Sequence, residues 1–343
     1  MTKVLVSGGC GYIGSHTIVD LIDNGFEVIS VDNFSNSDKK ALDGIEEITG
    51  KSVKNYNVDL TDLEGTRRIF EENNDIKGII HFAALKSVGE SVSKPLEYFQ
   101  NNLNSLFNLL HCVKEFDVPN FIFSSSCSVY GNTEDLPVTE ATPWAEAESP
   151  YARTKQMGEN ILKDFAYVNL HTNFVILRYF NPAGAHESAL IGEAPIVVAT
   201  NLVPVITETA IGKRDGMVVF GDDYDTRDGS CIRDYIHVMD LANAHTKSVE
   251  YAIASKDESN YEIFNLGIGE GVTVLEAINA FIKVTGKQLN YKISGRRAGD
   301  VVAIYANNQH AAQKLGWNPK RNIEDIMKTA WAWELRRSAM PSL

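Results

Sequence analysis

The feature that most narrows the folding options lies at the start of the chain. The apolar run Lys3–Val6 ends in Ser7-Gly8-Gly9-Cys10-Gly11-Tyr12-Ile13-Gly14. The segment fits GxxGxxG read from Gly8 and GxGxxG read from Gly9. Glycines at these places let the backbone turn sharply out of a strand and approach a pyrophosphate, which then rests on the positive N-terminus of the following helix. Alone, such a turn is often only a strand-to-helix connection. The second apolar run, Val28-Ile29-Ser30-Val31, shifts the balance because it ends in Asp32, near the expected distance of roughly 20 residues beyond the glycines. A carboxylate there accepts hydrogen bonds from both ribose hydroxyls. It also repels a 2′-phosphate, and Asn33 brings no compensating charge, so NAD is favoured over NADP.

The rest of the first half keeps this rhythm. Short β-branched runs at Lys3–Val6, Glu27–Val31, Val53–Val58, Gly78–Phe82, Phe121–Ser124 and Phe174–Leu177 read as buried strands. Helical patterns near Tyr12–Asn24, Lys39–Thr49, Asp62–Asn73, Leu96–Phe116 and Tyr151–Asn169 separate them. Strands alternating with helices imply an α/β fold: a Rossmann-type, doubly wound parallel sheet covered on both faces. It is expected to occupy residues 1–180. After Arg178 the rhythm breaks at Asn181-Pro182-Ala183-Gly184. Mixed elements at Asn201–Gly212, Met217–Phe220, Val238–Ala254, Thr273–Thr285 and Ile323–Arg336 then suggest a second, smaller α/β substrate domain over 181–343, with some segments crossing between the two. Repeats, low-complexity tracts and a Pro- or Ser-rich linker are not evident.

A length of 343 residues suits two domains. The net charge of −13 disfavours nucleic acid and anionic membranes as partners, so an anionic ligand must be met by local cations. The four cysteines, Cys10, Cys112, Cys127 and Cys231, have no paired spacing, which fits reduced thiols in a cytoplasmic protein. No metal site is expected, and no apolar run approaches the roughly 18 residues of a membrane span. Gly44 to Ser52 imitates a phosphate-binding P-loop but has one residue too many between its glycines and follows a helix, so Gly50 reads as a helix C-cap.

Ser149-Pro150-Tyr151-Ala152-Arg153-Thr154-Lys155 reads as a helix start, with Ser149 as N-cap and Pro150 at the first helical position. Tyr151 and Lys155 then share a face. A tyrosine acting as base near neutrality needs its pKa lowered by roughly 3 units from about 10, which a lysine one turn away and a cationic nicotinamide can supply. Tyr-x-x-x-Lys also arises by chance with the tyrosine packed and the lysine solvated. Here, however, Ser124-Ser125-Ser126 closes the fifth strand at the carboxyl edge that carries the glycine turn. Ser126 is placed to hydrogen-bond a sugar hydroxyl.

The glycine turn, the serine and the Tyr/Lys pair together resemble the extended short-chain dehydrogenase/reductase family. Within it, the chain is most similar to the branch of nucleotide-sugar 4-epimerases that interconvert UDP-galactose and UDP-glucose through transient oxidation at carbon 4. The segments Gly8–His16, His81–Ser91, Phe121–Gly131, Ser149–Lys155, Leu177–Ala185, Cys231–Asp240 and Arg296–Asp300 carry the likeness. The resemblance implies Ser126, Tyr151 and Lys155 as catalytic residues. It implies NAD contacts from Gly8, Gly11, Tyr12, Ile13, Gly14, Asp32, Asn33, Asn36, Ser37, Asp59, Leu60, Phe82, Ala83, Lys86, Asn101 and Tyr179 as well as the catalytic three. It implies UDP-sugar contacts from Asn181, Asn201, Leu202, Phe220, Arg233, Arg297, Asp300 and Ile304, with Lys86, Ser126 and Tyr151 shared. Arg233, in the apolar run Ile232–Val238, and Arg297 also suit a pyrophosphate as bidentate partners. Ile304 falls where a large tyrosine in relatives excludes N-acetylated sugars and a small cysteine or serine admits them. Homodimerisation through helices around Leu96–Val113 and Tyr151–Asn169 is implied too. Val197-Val198-Ala199-Thr200-Asn201 departs from the Pro-Asn-Asn run common in relatives.

Three other functions compete. A sugar-nucleotide 4,6-dehydratase or a UDP-glucuronate decarboxylase needs acidic residues straight after the serine-bearing strand, and Ser126-Cys127-Ser128-Val129-Tyr130 has none. A non-catalytic NAD-sensing scaffold would be expected to lose the Tyr/Lys pair, which is retained.

Overall fold

The computed structural model describes residues 1–196, 198–255, 259–297 and 300–339. Fourteen strands and eleven α-helices occur among them. The first six strands are β1 (Lys3–Ser7), β2 (Glu27–Val31), β3 (Asn55–Tyr56), β4 (Ile76–His81), β5 (Asn120–Ser126) and β6 (Asn173–Tyr179). Four short strands follow, β7 (Asn181–Ala183), β8 (Met217–Phe220), β9 (Ile232–Arg233) and β10 (Tyr235–His237). The last are β11 (Tyr261–Leu266), β12 (Val272–Thr273), β13 (Tyr291–Ser294) and β14 (Ala303–Ile304).

Seven strands pair in parallel in the order β11-β6-β5-β4-β1-β2-β3. The order reverses between β1 and β4, so these strands splay their carboxyl ends around a crevice, the place where doubly wound sheets take ligands. Alternation along each strand sends Val4, Val6, Ile122 and Val175 to one face and Leu5, Phe121, Phe123 and Phe174 to the other. On the first face they meet Ile18 and Leu21 of α1 (Tyr12–Asp23) together with Leu241 and Trp317. On the second they meet helices laid down later in the chain. Both faces are thus buried, which is why the strands read as near-continuous apolar runs.

The helices that follow α1 are α2 (Lys40–Thr49), α3 (Leu63–Glu72), α4 (Val88–Ser93), α5 (Pro95–Glu115) and α6 (Pro150–Val168). Leu106, Leu109 and Leu110 of α5 and Leu162 of α6 complete the second core. Gly50 caps α2 in the left-handed conformation at φ 67°, so the P-loop look-alike is a helix end. α6 begins as its sequence implies: Pro150 occupies the first turn and the Ser149 hydroxyl accepts from the Ala152 amide. Val53–Val58 yields only the two-residue β3, since nothing beyond β2 pairs with it at this edge.

The remaining helices are α7 (Leu202–Ala210), α8 (Val238–Ala254), α9 (Val274–Thr285), α10 (Gln309–Leu315) and α11 (Ile323–Ala339). A third core joins Ile206 of α7, Val219 of β8, Ala277 and Phe281 of α9 and Ile326 of α11. Two features depart from the sequence reading. The sheet takes its seventh strand, β11, from far beyond residue 180, paired in register with β6. The run Ile232–Val238 is not one strand: β9 pairs with β12 and β14, whereas β10 pairs with β7. The break falls at Asp234, whose buried carboxylate accepts from the amides of Ile268, Gly269 and Ala306. Three backbone donors converging on one side chain hold the chain out of a continuous ladder.

Candidate active site

The crevice is built on close backbone approach. Gly8, at φ 70°, donates its amide to the Val31 carbonyl at 2.7 Å, and a Cβ there would stand 2.9 Å from the Ala83 amide nitrogen. A Cβ on Gly14 would lie 2.2 Å from the Gly8 carbonyl oxygen, whereas at Gly11 that same oxygen, at 3.1 Å, is its only neighbour within 4 Å. The turn is therefore packed beneath and open above, which suits a pyrophosphate laid over the first turn of α1. Ile13 packs inward against the core. The Tyr12 hydroxyl donates to the Gly184 carbonyl at 2.7 Å, tying the turn to the loop after β7.

Asp32 is buried at the end of β2. Its Oδ2 accepts from the Cys10 amide at 3.0 Å, and its Oδ1 accepts from the Phe34 amide and from the Ser37 hydroxyl at 2.7 Å. A carboxylate has about four acceptor positions, so one remains for a ribose hydroxyl rather than the two bonds that the sequence reading expects. Asn33 reaches Asp59, and the Leu60 carbonyl is held by Asn108, which collects those expected contacts on one side of the crevice. Asn36 is exposed. Across the crevice, the Phe82 and Ala83 amides bond to the Ser7 carbonyl and hydroxyl. The Phe82 ring packs at a tilt against His245, centroids 4.6 Å apart. Asn101 donates to Asn102, whose side chain bonds both backbone groups of Leu85 and so fixes the loop that carries Lys86. The set fits an adenine dinucleotide.

The three residues expected to be catalytic come together at the end of β5. The Ser126 hydroxyl caps the short turn Cys127–Tyr130 by accepting from the Ser128 amide, and it lies close enough to the Tyr151 phenol to act on its proton affinity. Lys155 is buried, its ammonium donating to the Ser124 carbonyl at 2.6 Å and lying 5.8 Å from the centre of the Tyr151 ring. Tyr179 is buried alongside, hydrogen-bonded to the Ser124 hydroxyl. Burial pushes the Tyr151 phenol up to about 12, partly offset by Ser126, and lowers Lys155 to about 8, partly offset by Glu159. The chain's own groups thus raise the Tyr151 pKa, against the lowering that the sequence reading expects.

The expected nucleotide contacts occupy the other wall. Arg233 donates to the carbonyls of Ile232 and Val301 and lies 3.9 Å from Asp300, while Arg297 pairs with Asp300 at 2.7 Å and covers the Phe220 ring at 5.2 Å. Two cations sharing one carboxylate leave positive charge for a diphosphate in this acidic chain. Asn181 sits on β7 with its side-chain oxygen buried and without a hydrogen-bond partner among the described residues, the signature of a group awaiting a polar ligand. Asn201 and Leu202 open α7, and Asn201 donates to Glu193, which also lies 3.7 Å from Lys86. Ile304 is buried among Val129, Tyr130, Val138, Phe180 and Ala306, against Cys127. Val197, Ala298 and Gly299 lie outside the described residues. Sequence reasoning passed over Asn102 and Glu193. An asparagine pair inside α5, where propensity disfavours it, was a usable signal for the first; nothing local marked the second.

A doubly wound sheet with a glycine turn on β1 and Ser, Tyr and Lys at the carboxyl end of β5 defines a short-chain dehydrogenase/reductase of the extended kind. The family model described as GDP-mannose 4,6 dehydratase matches residues 5–330. The UDP-glucose 4-epimerase of Bacillus subtilis is 45% identical over 331 residues, covering 96% of each chain. Among solved structures, UDP-glucose 4-epimerase from Bifidobacterium longum, in complex with NAD+ and UDP, superposes with a TM-score of 0.93 at 45% identity, covering 98% of this chain and 99% of that one. The UDP-Glc/GlcNAc 4-epimerase of Campylobacter jejuni follows with 0.85 at 38% identity, covering 98% and 100%. The chain belongs to the UDP-glucose 4-epimerase family. The dehydratase in the family model's name is not matched by chemistry at the site, since the turn Cys127–Tyr130 carries no carboxylate.

Gly14→Ala tests the cofactor cradle. Its Cβ must displace the Gly8 carbonyl, so the purified variant is expected to carry less NAD, read from absorbance after acid release, and to melt at a lower temperature. Native cofactor content and native Tm would contradict the packing described.

Proposed function

We propose that the chain interconverts UDP-galactose and UDP-glucose. The observation that carries this reading is the Ser126–Tyr151–Lys155 set at the mouth of a dinucleotide crevice, with Arg233 and Arg297 on the opposite wall and no carboxylate on the intervening turn. When bound, NAD would supply the acceptor for the hydride of sugar carbon 4, its return, and the positive charge of its oxidised nicotinamide. The chain's own groups do the rest. Arg233 and Arg297 hold the diphosphate, and Asn181 offers the side-chain oxygen that lacks a partner. Because the anchoring lies on the nucleotide, the hexose remains free to present either face. Tyr151 takes the proton of the 4-hydroxyl and later gives it back, Ser126 bridges the two oxygens, and Lys155 keeps a cation near the phenol. Carbon 4 ends inverted with no net redox change, so external NAD is not consumed.

Lys86 and Asn201, joined through Glu193, are assigned to the sugar-nucleotide side of the crevice. The four free thiols fit a reducing cytoplasm, and none of the described helices is long and apolar enough to cross a membrane. Residues 1–180 are assigned to the NAD-binding domain and 181–343 to the UDP-sugar domain, with β11 and α8 crossing into the first. The chain is also assigned to a homodimer: α5 and α6 lie side by side and expose Leu96, Phe107 and Met157, with Leu96 and Phe107 three helical turns apart on one stripe. Relatives of this fold include one named for both UDP-Glc and GlcNAc, so sugar range is set locally. Ile304 borders the Cys127 turn with a stiff, β-branched side chain. Burying an acetamido group against it without a hydrogen-bond partner costs about 1–3 kcal/mol.

Tyr151→Phe is expected to lose roughly 10²–10⁴-fold in kcat for UDP-galactose in a coupled assay while keeping its affinity for UDP-sugar; near-native turnover would remove the assignment. Sedimentation should give the mass of a dimer, and Phe107→Glu that of a monomer; a native monomer refutes the interface. For Ile304, kcat/KM in the native enzyme is expected to favour UDP-galactose over UDP-N-acetylgalactosamine by about tenfold or more, and Ile304→Ser should narrow the gap. Equal native values, unchanged by the substitution, would show that Ile304 only packs.

A further inference from the structure

Beneath the catalytic set lies a buried ion pair that the reaction does not use directly. Arg178 of β6 and Glu159 of α6 have side chains 3% and 1% exposed, and their bond is bidentate, with Nε to Oε1 at 2.9 Å and Nη2 to Oε2 at 2.6 Å. Ser125 donates its hydroxyl to Glu159 Oε1 at 2.5 Å. The other side of the guanidinium donates to the Tyr130 hydroxyl at 2.9 Å. Burying two charges is expensive and is rarely a net gain in stability over apolar packing, so such a pair is more readily explained by what it holds in place.

Its position says what that is. Tyr151, Lys155 and Glu159 are spaced one turn apart along α6 and share a face. Ser125, gripped by Glu159, lies between Ser124, whose carbonyl anchors the Lys155 ammonium, and Ser126, whose hydroxyl caps the turn Cys127–Tyr130 beside Tyr151. Glu159 therefore flanks the catalytic set twice, on the helix face it shares with Lys155 and through Ser125 at the end of β5. We propose that Glu159, held by Arg178 and Ser125, is a positioning residue that fixes the Ser124–Ser126 segment against α6 and places its charge one helical turn from Lys155. This proposal rests on the assignment of Tyr151 as the proton-transferring group.

The electrostatics agree with the geometry. Burial lowers Lys155 to about 8, and Glu159 is the group that opposes the fall. The other titratable groups facing Lys155 do not replace it. His81 on β4 is held uncharged at neutral pH by burial, with the Lys155 cation pushing the same way, and Tyr151 and Tyr179 are phenols pushed up by burial. The sign follows: the ammonium is present below the Lys155 pKa and lost above it, so removing the one opposing anion moves that loss to lower pH. In that variant the unpaired Arg178 cation pushes in the same direction.

The test is Glu159→Gln. Competitive acetylation with acetic anhydride across a pH series, read by mass spectrometry on the Lys155 peptide, reports the amine's own titration without relying on turnover. Its midpoint is expected to move acidward by about one pH unit or more, and the alkaline limb of kcat for UDP-galactose to move with it while KM changes little. A folded variant with a lower Tm but an unmoved midpoint would overturn the proposal, because a purely structural pair gives that result. Where Glu159→Gln does not fold, Ser125→Ala keeps both charges and removes only the grip on β5. It is expected to lower kcat about tenfold with KM and the Lys155 midpoint unchanged; native kcat would overturn the proposal. A midpoint that shifts as expected in a chain that does not turn over UDP-galactose supports the charge placement and counts against the epimerase reading instead.

Discussion

The molecule depends on how closely three strand ends approach one another at Gly8. Its amide closes onto β2 through the Val31 carbonyl, and its α-carbon leaves no room for a side chain beside the backbone of Ala83 after β4. That pinch sets the crevice where strand order reverses, and every site residue is placed relative to it: Asp32 at the end of β2, Phe82 and Ala83 after β4, Ser126 at the end of β5. A parallel sheet brings all its carboxyl ends to one edge, so residues far apart in sequence meet there without any loop having to search for them. Loops from the second lobe then close the other wall, with the Tyr12 to Gly184 hydrogen bond joining the two.

Charge is handled in two ways. At the crevice wall, Arg233 and Arg297 share Asp300 and retain positive potential for an anionic ligand, which an acidic chain needs locally because its overall field repels one. Under the catalytic set, Lys155, Glu159 and Arg178 are buried and satisfied by fixed partners, the first by a strand carbonyl and the other two by each other. Burial keeps Tyr151 protonated, so little phenolate is present from the chain's own surroundings. The chain thus brings a phenol, a serine hydroxyl and an ammonium together at the end of β5.

Several parts of this were legible in the sequence because they are local. The glycine turn, the capped start of α6 with Ser149 and Pro150, the spacing of Tyr151 and Lys155, and the C-cap at Gly50 each follow from residues within a few positions of one another. The strand at β11 was not legible: Tyr261–Leu266 is an edge strand whose identity comes from pairing with β6, some eighty residues earlier in the chain. Nor was the break at Asp234 visible, since its carboxylate answers amides contributed by two distant loops.

By itself, the sequence determined the sheet type, the position and preference of the dinucleotide turn, and the residue types able to move a proton, because hydrophobic period, glycine geometry and helical spacing act over short distances. Only the tertiary structure decided that Glu159 and Arg178 would meet beneath Lys155, that Glu193 would join Lys86 to Asn201, and that desolvation would raise rather than lower the Tyr151 pKa. Those outcomes depend on desolvation and on which distant charges share a buried volume. Neither quantity exists until the chain has folded around them.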